Sequence, residues 1–365
     1  MKAYVNGQIF DGQKTHRHHA VLTEKGKVLG IVAENAVPAQ AQICDLQNHL
    51  LAPALLDLQI YGGNGHLFGE HPSVSALEAT YAYSQSGGAH HFLPTVATHS
   101  EAVVGAAIEA VRDYWARGGK GVLGLHLEGP FINPVKRGAH LPEYIQTMSR
   151  ASVEKLLAIG KGIIKMMTLA PECCDTEGVH LLQKNGVIIS AGHTNARYDQ
   201  AQTAFKNGIH LATHLFNAMS PLGHRETGMV GAILDNPKVY VSLVADGYHV
   251  DWSAIRIAKQ VKKSKLFLIT DAVTTNSAGK YLHQLNENRY VMPDGTLSGS
   301  ALTMIQAVKN CIAYAQIPRE EALRMASRYP AHVIGLGKRL GRIAVGYEAD
   351  FILLDEQMNL VAGIL

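Results

Sequence analysis

Short apolar runs in the middle of this chain stop abruptly at polar residues able to do chemistry. Val122-Leu-Gly-Leu-His-Leu ends in Glu128, Val187-Ile-Ile-Ser-Ala-Gly in His193, and Ile209-His-Leu-Ala-Thr in His214. Val239-Tyr-Val-Ser-Leu-Val runs into Asp246 and His249, and Leu266-Phe-Leu-Ile-Thr into Asp271. Parallel strands covered by helices on both faces read as such near-continuous Val/Ile/Leu runs. The pattern predicts eight of them, at 50–58, 91–98, 122–127, 163–169, 187–191, 209–213, 239–245 and 266–270. Amphipathic helical stretches at 101–116, 152–159, 198–206 and 252–262 fall between them. This alternation predicts βαβ units and a parallel sheet, closed as a (β/α)₈ barrel or open and doubly wound. An open sheet concentrates its polar residues at one switch point. Here they end most strands, which favours the barrel, whose active site lies at the C-terminal strand ends.

The two ends of the chain have another texture. Ala3-Tyr-Val, Gln8-Ile-Phe, His19-Ala-Val-Leu, Lys27-Val-Leu-Gly-Ile-Val and Gln42-Ile-Cys read as short antiparallel strands, separated by turn pairs such as Asn6-Gly7 and Lys25-Gly26. Phe351-Ile-Leu-Leu follows the turn-rich segment 341–350 in the same manner. The expected organisation is therefore a small β-rich unit from residues 1–50 and 335–365 around a barrel of residues 51–334.

Composition adds exclusions. With 47% apolar and 17% charged residues and a net charge of +3, nothing suggests binding to nucleic acid or membrane through the bulk field. No apolar stretch approaches the roughly 20 residues of a membrane span. The N-terminus lacks a signal-like apolar core, and four cysteines without Cys-x-x-Cys spacing make no disulfide framework. A cytoplasmic protein with reduced thiols is expected.

Catalytic zinc sites commonly offer three protein ligands, often two His and a carboxylate, and keep a fourth position for water. Glu128, His193 and His214 supply that set from three strand ends, and Asp271 is placed to move a proton, although it also reads as a helix cap. His₂–carboxylate ligation suits zinc and iron(II) alike.

Longer motifs carry a resemblance. His126-Leu-Glu-Gly-Pro-Phe-Ile-Asn-Pro-Val-Lys-Arg-Gly-Ala-His140, Ala191-Gly-His-Thr-Asn-Ala196, Thr213-His-Leu-Phe-Asn-Ala-Met-Ser-Pro-Leu222, Ala245-Asp-Gly-Tyr-His249, Leu268-Ile-Thr-Asp-Ala272 and Leu297-Ser-Gly-Ser-Ala-Leu-Thr-Met304 are similar to those of N-acetylglucosamine-6-phosphate deacetylases, members of the amidohydrolase superfamily. The resemblance covers nearly the whole chain in order. It implies the TIM-type barrel with its small β domain, and deacetylation of N-acetylglucosamine 6-phosphate in a homodimer. It implies one divalent ion on Glu128, His193 and His214, with Asp271 as base and then acid. His140 is implied to polarise the acetyl carbonyl. Ala139, Asn217, Ala218, Arg225, His249, Leu302, Thr303, Met304 and Gln59 are implied to bind substrate, with Arg225 and the Asn217–Ala218 main chain on the phosphate. Deacetylation of the galacto epimer, cyclic-amide hydrolysis and an inactive binding homologue are the alternatives. Gln59 and Tyr61 stand where many amidohydrolases have His-x-His and where some of these deacetylases have Gln-x-Asn. Neither is a good ligand at neutral pH, so a single metal is expected.

Overall fold

The computed structural model describes residues 1–361. Eight parallel strands follow one another round a barrel: β1 (Leu55–Ile60), β2 (Ala89–Ala97), β3 (Leu125–Glu128), β4 (Ile164–Leu169), β5 (Ile188–Ala191), β6 (Leu211–Ala212), β7 (Tyr240–Leu243) and β8 (Leu266–Leu268). Each of the eight apolar runs contributes one. The ring closes through a narrow seam between β1 and the end of β8. Ile60 bridges Ala272, Tyr61 N–H donates to the Ala272 carbonyl at 2.9 Å, and Asp271 N–H donates to the Gln59 carbonyl at 2.9 Å. Asp57, buried on β1, reinforces the seam by accepting from the Thr270 N–H at 3.1 Å and from the Thr270 hydroxyl. Burial pushes the Asp57 carboxyl up to about 7.

The helices between strands bury the faces their sequences predict. Glu101–Ala116 turns Ala107, Ile108, Ala110, Val111 and Tyr114 to the barrel, spaced as neighbours on one helix face. Its N-cap Ser100 accepts a hydrogen bond from Val103 N–H. Apolar side chains fill the space between helices and strands. A polar layer crosses the barrel interior: His126 meets the Thr168 hydroxyl at 2.8 Å, Thr168 meets Thr213 at 2.8 Å, and Ser190 meets Thr213 at 2.6 Å.

The terminal segments form two four-stranded sheets. Across the sheet, one runs Lys27–Ala33, His19–Glu24, Lys2–Val5, Gln42–Asp45; the other runs Phe351–Leu354, Leu50–Pro53, Gln8–Phe10, Thr15–His16. They share a core of Tyr4, Ile9, Val21, Val28, Leu46, Leu51, Ile343, Phe351 and Leu353. Two features differ from the sequence reading. The run at 50–58 is not one strand, because Leu50–Pro53 pairs in the terminal sheet and β1 starts only at Leu55. The sheets are also mixed: Lys2–Val5 with Gln42–Asp45, and Gln8–Phe10 with Leu50–Pro53, pair in parallel. Alternating apolar residues mark a half-buried strand but carry no information about the direction of its partner. Residues 362–365, included in the expected terminal unit, lie outside those described. No helix among the described residues is long and apolar enough to cross a membrane.

One element had no counterpart in the sequence reading. After β8 the chain forms a small antiparallel sheet, Gln284–Asn286, Arg289–Val291 and Leu297–Ser300, which returns to the barrel mouth before helix Met304–Ala313.

Candidate active site

Four side chains singled out by their place at strand ends, and His140, which only the resemblance singled out, converge in one buried cluster. Glu128 is the last residue of β3, while His193, His214 and Asp271 follow β5, β6 and β8 within three residues. His140 comes from the long loop after β3. His193, His214 and Asp271 have left-handed backbone, with φ of 48°, 39° and 54°. Such conformations cost free energy in non-glycine residues and persist where the surrounding structure over-determines them. Here the turn off each strand swings the side chain over the barrel axis.

Glu128 divides its two oxygens. Oε1 lies 3.2 Å from His214 Nε2 and 3.4 Å from His193 Nε2, and those two nitrogens are 3.1 Å apart. Oε2 faces His140 Nε2 at 3.1 Å and the Tyr61 hydroxyl. Burial alone would raise the Glu128 carboxyl, yet His193, His140 and His214 together hold it well below the usual range. Gln59 spans two carboxylates, its Nε2 donating to Glu128 Oε1 at 3.0 Å and to Asp271 Oδ1 at 2.8 Å. Asp271 is raised, first by burial and then by the neighbouring Glu128 charge.

The donor set fits a metal ion. Ligands held 2.0–2.2 Å from a tetrahedral ion stand about 3.3–3.6 Å apart, close to the 3.1–3.4 Å separating Glu128 Oε1, His193 Nε2 and His214 Nε2. Glu128, His140 and His193 also bring one ligand atom each within 4.8 Å of one another. The backbone separates the two histidines that the trios do and do not share. His193 Nδ1 lies 2.9 Å from the Lys136 carbonyl, which can only accept. Its proton is therefore on Nδ1, leaving the Nε2 lone pair free for an ion. At His140 the partner is the Thr98 N–H, which can only donate, to Nδ1 at 3.2 Å. The proton of neutral His140 is thus on Nε2, making it a hydrogen-bond donor towards the cluster. Burial, ahead of the neighbouring His193, pushes the His140 imidazole down to about 4, so it is neutral. His214 Nδ1 is buried with no hydrogen-bond partner among the described residues, so its orientation lacks this support.

The cluster forms one wall of a cavity of about 170 Å³, more than ten times the room one water needs. Ala139, Asn217, Ala218 and His249 line it, as the resemblance implies. His249 Nδ1 is tied to Asp246 Oδ2 at 2.6 Å. Gln59 acts one layer further back, through its two carboxylate partners. Leu302, Thr303 and Met304 do not line the cavity. The Leu302 carbonyl accepts from the Tyr83 hydroxyl at 2.9 Å and Thr303 packs against Gly87, at the start of the following helix, while Leu297, Ser298 and Gly299 face the cavity instead. Arg225 is exposed on the segment between Ala218 and helix Gly228–Asp235, and neither Lys nor Arg is among the lining residues. His99, Tyr281 and His283 do line the cavity and were not foreseen. His99 follows β2 directly, so its strand-end position was the available signal. Tyr281 and His283 lie at the edge of an insertion whose return to the mouth no periodicity announces.

Comparison with known proteins gives a consistent picture. The model of the amidohydrolase family matches residues 50–364. N-acetylglucosamine-6-phosphate deacetylase of Haemophilus influenzae is 32% identical, covering 100% of this chain and 97% of its own. N-acetylgalactosamine-6-phosphate deacetylase of Escherichia coli O157:H7 is 31% identical over 94% and 95%. The crystal structure of the Pasteurella multocida N-acetylglucosamine-6-phosphate deacetylase superposes with a TM-score of 0.93 at 35% identity, over 98% of this chain and 96% of that one. A Mycobacterium smegmatis mutant deacetylase, solved in complex with N-acetyl-D-glucosamine 6-phosphate, gives 0.90 at 27% identity, over 98% and 96%.

Proposed function

The chain belongs to the amidohydrolase family, and from that premise we propose that it hydrolyses the acetamide of N-acetyl-D-glucosamine 6-phosphate, giving D-glucosamine 6-phosphate and acetate. The observation that carries the reading is the mutual 3.1–3.4 Å spacing of Glu128 Oε1, His193 Nε2 and His214 Nε2 beside Asp271. Glu128, His193 and His214 would hold one divalent cation, zinc or iron(II). Such an ion, when bound, polarises a carbonyl and lowers the pKa of water to about 7. His140 donates its Nε2–H to the acetyl oxygen as that atom gains charge. Asp271 takes the proton of the attacking water and passes it to the departing nitrogen. Its raised proton affinity suits both halves of that task. Gln59 holds the two carboxylates in register while adding no charge.

The sugar phosphate would extend towards Asn217, Ala218 and His249. Arg225 would supply the permanent positive charge, reaching over the rim from its exposed segment, because its planar fork suits phosphate oxygens. The same reading takes the working form as a cytoplasmic homodimer. A second reading, the galacto epimer, is favoured by the near-equal identity of relatives with each name.

The test is elemental analysis of the purified protein together with acetate release from gluco- and galacto-configured N-acetylated sugars, with and without the 6-phosphate. About one zinc or iron per chain and fastest release from N-acetylglucosamine 6-phosphate are expected. Arg225→Ala should cut kcat/KM on the phosphorylated sugar roughly ten- to a hundredfold and leave the unphosphorylated sugar nearly unchanged. Absence of acetate release from every sugar phosphate would overturn the reading. So would a requirement for two ions per chain.

A further inference from the structure

His99 lines the same cavity as the Glu128–His193–His214 cluster and has an unmet hydrogen bond. It is only 8% exposed and lines the active-site cavity. Its Nδ1 accepts the Ser100 N–H at 2.8 Å. A backbone N–H can only donate, so the ring proton of neutral His99 resides on Nε2. That Nε2 is buried and has no partner among the described residues. Buried donors in native proteins are rarely left unpaired, and an exception points to a group that arrives from outside.

The ring is held in place from several sides. Tyr144 stacks on it, with centroids 5.1 Å apart and planes at 15°, and Tyr281 lies at 6.1 Å. Tyr281 is fixed by its hydroxyl, which donates to the Thr98 carbonyl at 2.7 Å, and it stacks in turn on His283. Ser100 is the N-cap of helix Glu101–Ala116, so the bond that sets the tautomer belongs to a rigid element. His99 also borders a second cavity of about 340 Å³, walled by Val104, Leu127, Phe131 and Leu156. That space is mostly apolar, with Glu101, Gln146 and Ser152 also on its wall, yet none of them bonds the His99 Nε2. Burial lowers the His99 pKa, so the ring enters any complex neutral, as a donor of one proton and without charge.

We propose that His99 is a substrate-binding residue, donating its Nε2–H to a ring hydroxyl oxygen of the amino sugar, with Tyr281 and His283 completing an aromatic wall behind it. The proposal rests on the deacetylase reading for the identity of the substrate. The acetamide is taken by the catalytic cluster and the phosphate by the Asn217–Ala218 side. The hydroxyls are the acceptors that remain. Thr98, next in the chain, holds His140, so a hydroxyl near the acetamido carbon is the nearest candidate.

The test uses the whole enzyme with N-acetylglucosamine 6-phosphate and its 1-, 3- and 4-deoxy analogues. His99→Phe keeps the ring and removes the N–H, and His99→Gln keeps a donor. The Phe variant should lose about tenfold in kcat/KM on the parent sugar, and the Gln variant should recover part of it. On the one deoxy analogue lacking the partner hydroxyl, wild type and His99→Phe should be equal, as in a double-mutant cycle. Equal losses on all four substrates, or no loss on the parent, would overturn the proposal. Nitrogen NMR of the His99 imidazole in the free enzyme reads the tautomer whatever the substrate proves to be. An Nδ1–H ring there would overturn the proposal independently. Failure of wild type to release acetate would instead count against the deacetylase reading alone.

Discussion

His140 and His193 have ring centroids 4.3 Å apart, yet their backbone partners give them opposite protonation patterns. A carbonyl behind His193 leaves a lone pair on its Nε2, and an N–H behind His140 leaves a proton on its Nε2, so under the proposed function the first is a ligand and the second a donor. The distinction has a direct consequence. His193→Gln should lose the metal on dialysis. His140→Gln should retain it while kcat falls by about 10²–10³. Asp271→Asn should also retain it, with kcat lower by about 10²–10⁴. Elemental analysis beside kcat for the three variants separates ligand, donor and base. Loss of metal from the His140 variant equal to that from the His193 variant would make His140 a ligand. Tyr61 belongs to the same scale: its hydroxyl and His140 both serve Glu128 Oε2, so Oε1 alone faces His193 and His214.

At the scale of elements, the barrel delivers Glu128, His193, His214 and Asp271 from four different strands and then fixes the turn that follows each. The turn after β3 shows how little tolerance there is. Gly129 has φ of 87°, and a Cβ built there would stand 2.0 Å from Thr98 Oγ1. Thr98 is the residue whose N–H and hydroxyl hold His140 Nδ1. Gly129→Ala should therefore destabilise the fold by roughly 1–3 kcal/mol and lower kcat through His140. Gly105 is the contrasting position, inside helix Glu101–Ala116 with nothing within 4 Å of its would-be Cβ. Gly105→Ala should stabilise by roughly 0.5–1 kcal/mol and leave kcat alone. Urea denaturation and turnover of both variants test the pair, and destabilisation by Gly105→Ala would show that the helix face is more crowded than the structure has it.

Across the whole molecule, Asp350 ties the terminal sheets to the barrel. One oxygen lies 2.6 Å from His90 Nδ1 and the other 2.8 Å from His91 Nε2, both histidines standing on β2. The His91 contact lacks hydrogen-bond alignment, so the directed bond to Asp350 is the one from His90. The Asp350 carbonyl accepts from Ala54 N–H at the point where the chain passes from terminal sheet to barrel. Burial would raise the Asp350 carboxyl, but His90 and His91 hold it far below the ordinary range. A depressed carboxylate contributes stability that is complete above the unfolded pKa of about 3.9 and is lost as pH falls through the lower folded value. Asp350→Asn should cost roughly 1–3 kcal/mol near neutrality, and its gap to wild type should narrow as the solution is acidified below about pH 4. A constant gap down to pH 2 would mean that Asp350 acts through shape and not through charge.

The sequence by itself determined the barrel and most of the polar residues that meet at its mouth, because both are written in local terms. Fully buried strands need unbroken apolar runs, and a barrel exposes chemistry only where such a run ends, so Glu128, His193, His214 and Asp271 were legible at the ends of theirs. What local pattern cannot hold was left to the tertiary structure. The run at 50–58 is equally apolar in its terminal-sheet half and its barrel half, and only the partners distinguish them. Asp57 carries no sequence signal of its own, and only the closed ring shows that it stitches the seam to Thr270. Leu302–Met304 resembled a pocket segment, but the chain turns into its helix there and presents Leu297–Gly299 to the cavity. Arg225 stands exposed outside the lining of the single chain. Which ring nitrogen of His140, His193 or His99 carries the proton depends on whether a distant or neighbouring backbone group gives or takes a hydrogen bond, and that is a property of three-dimensional contact alone.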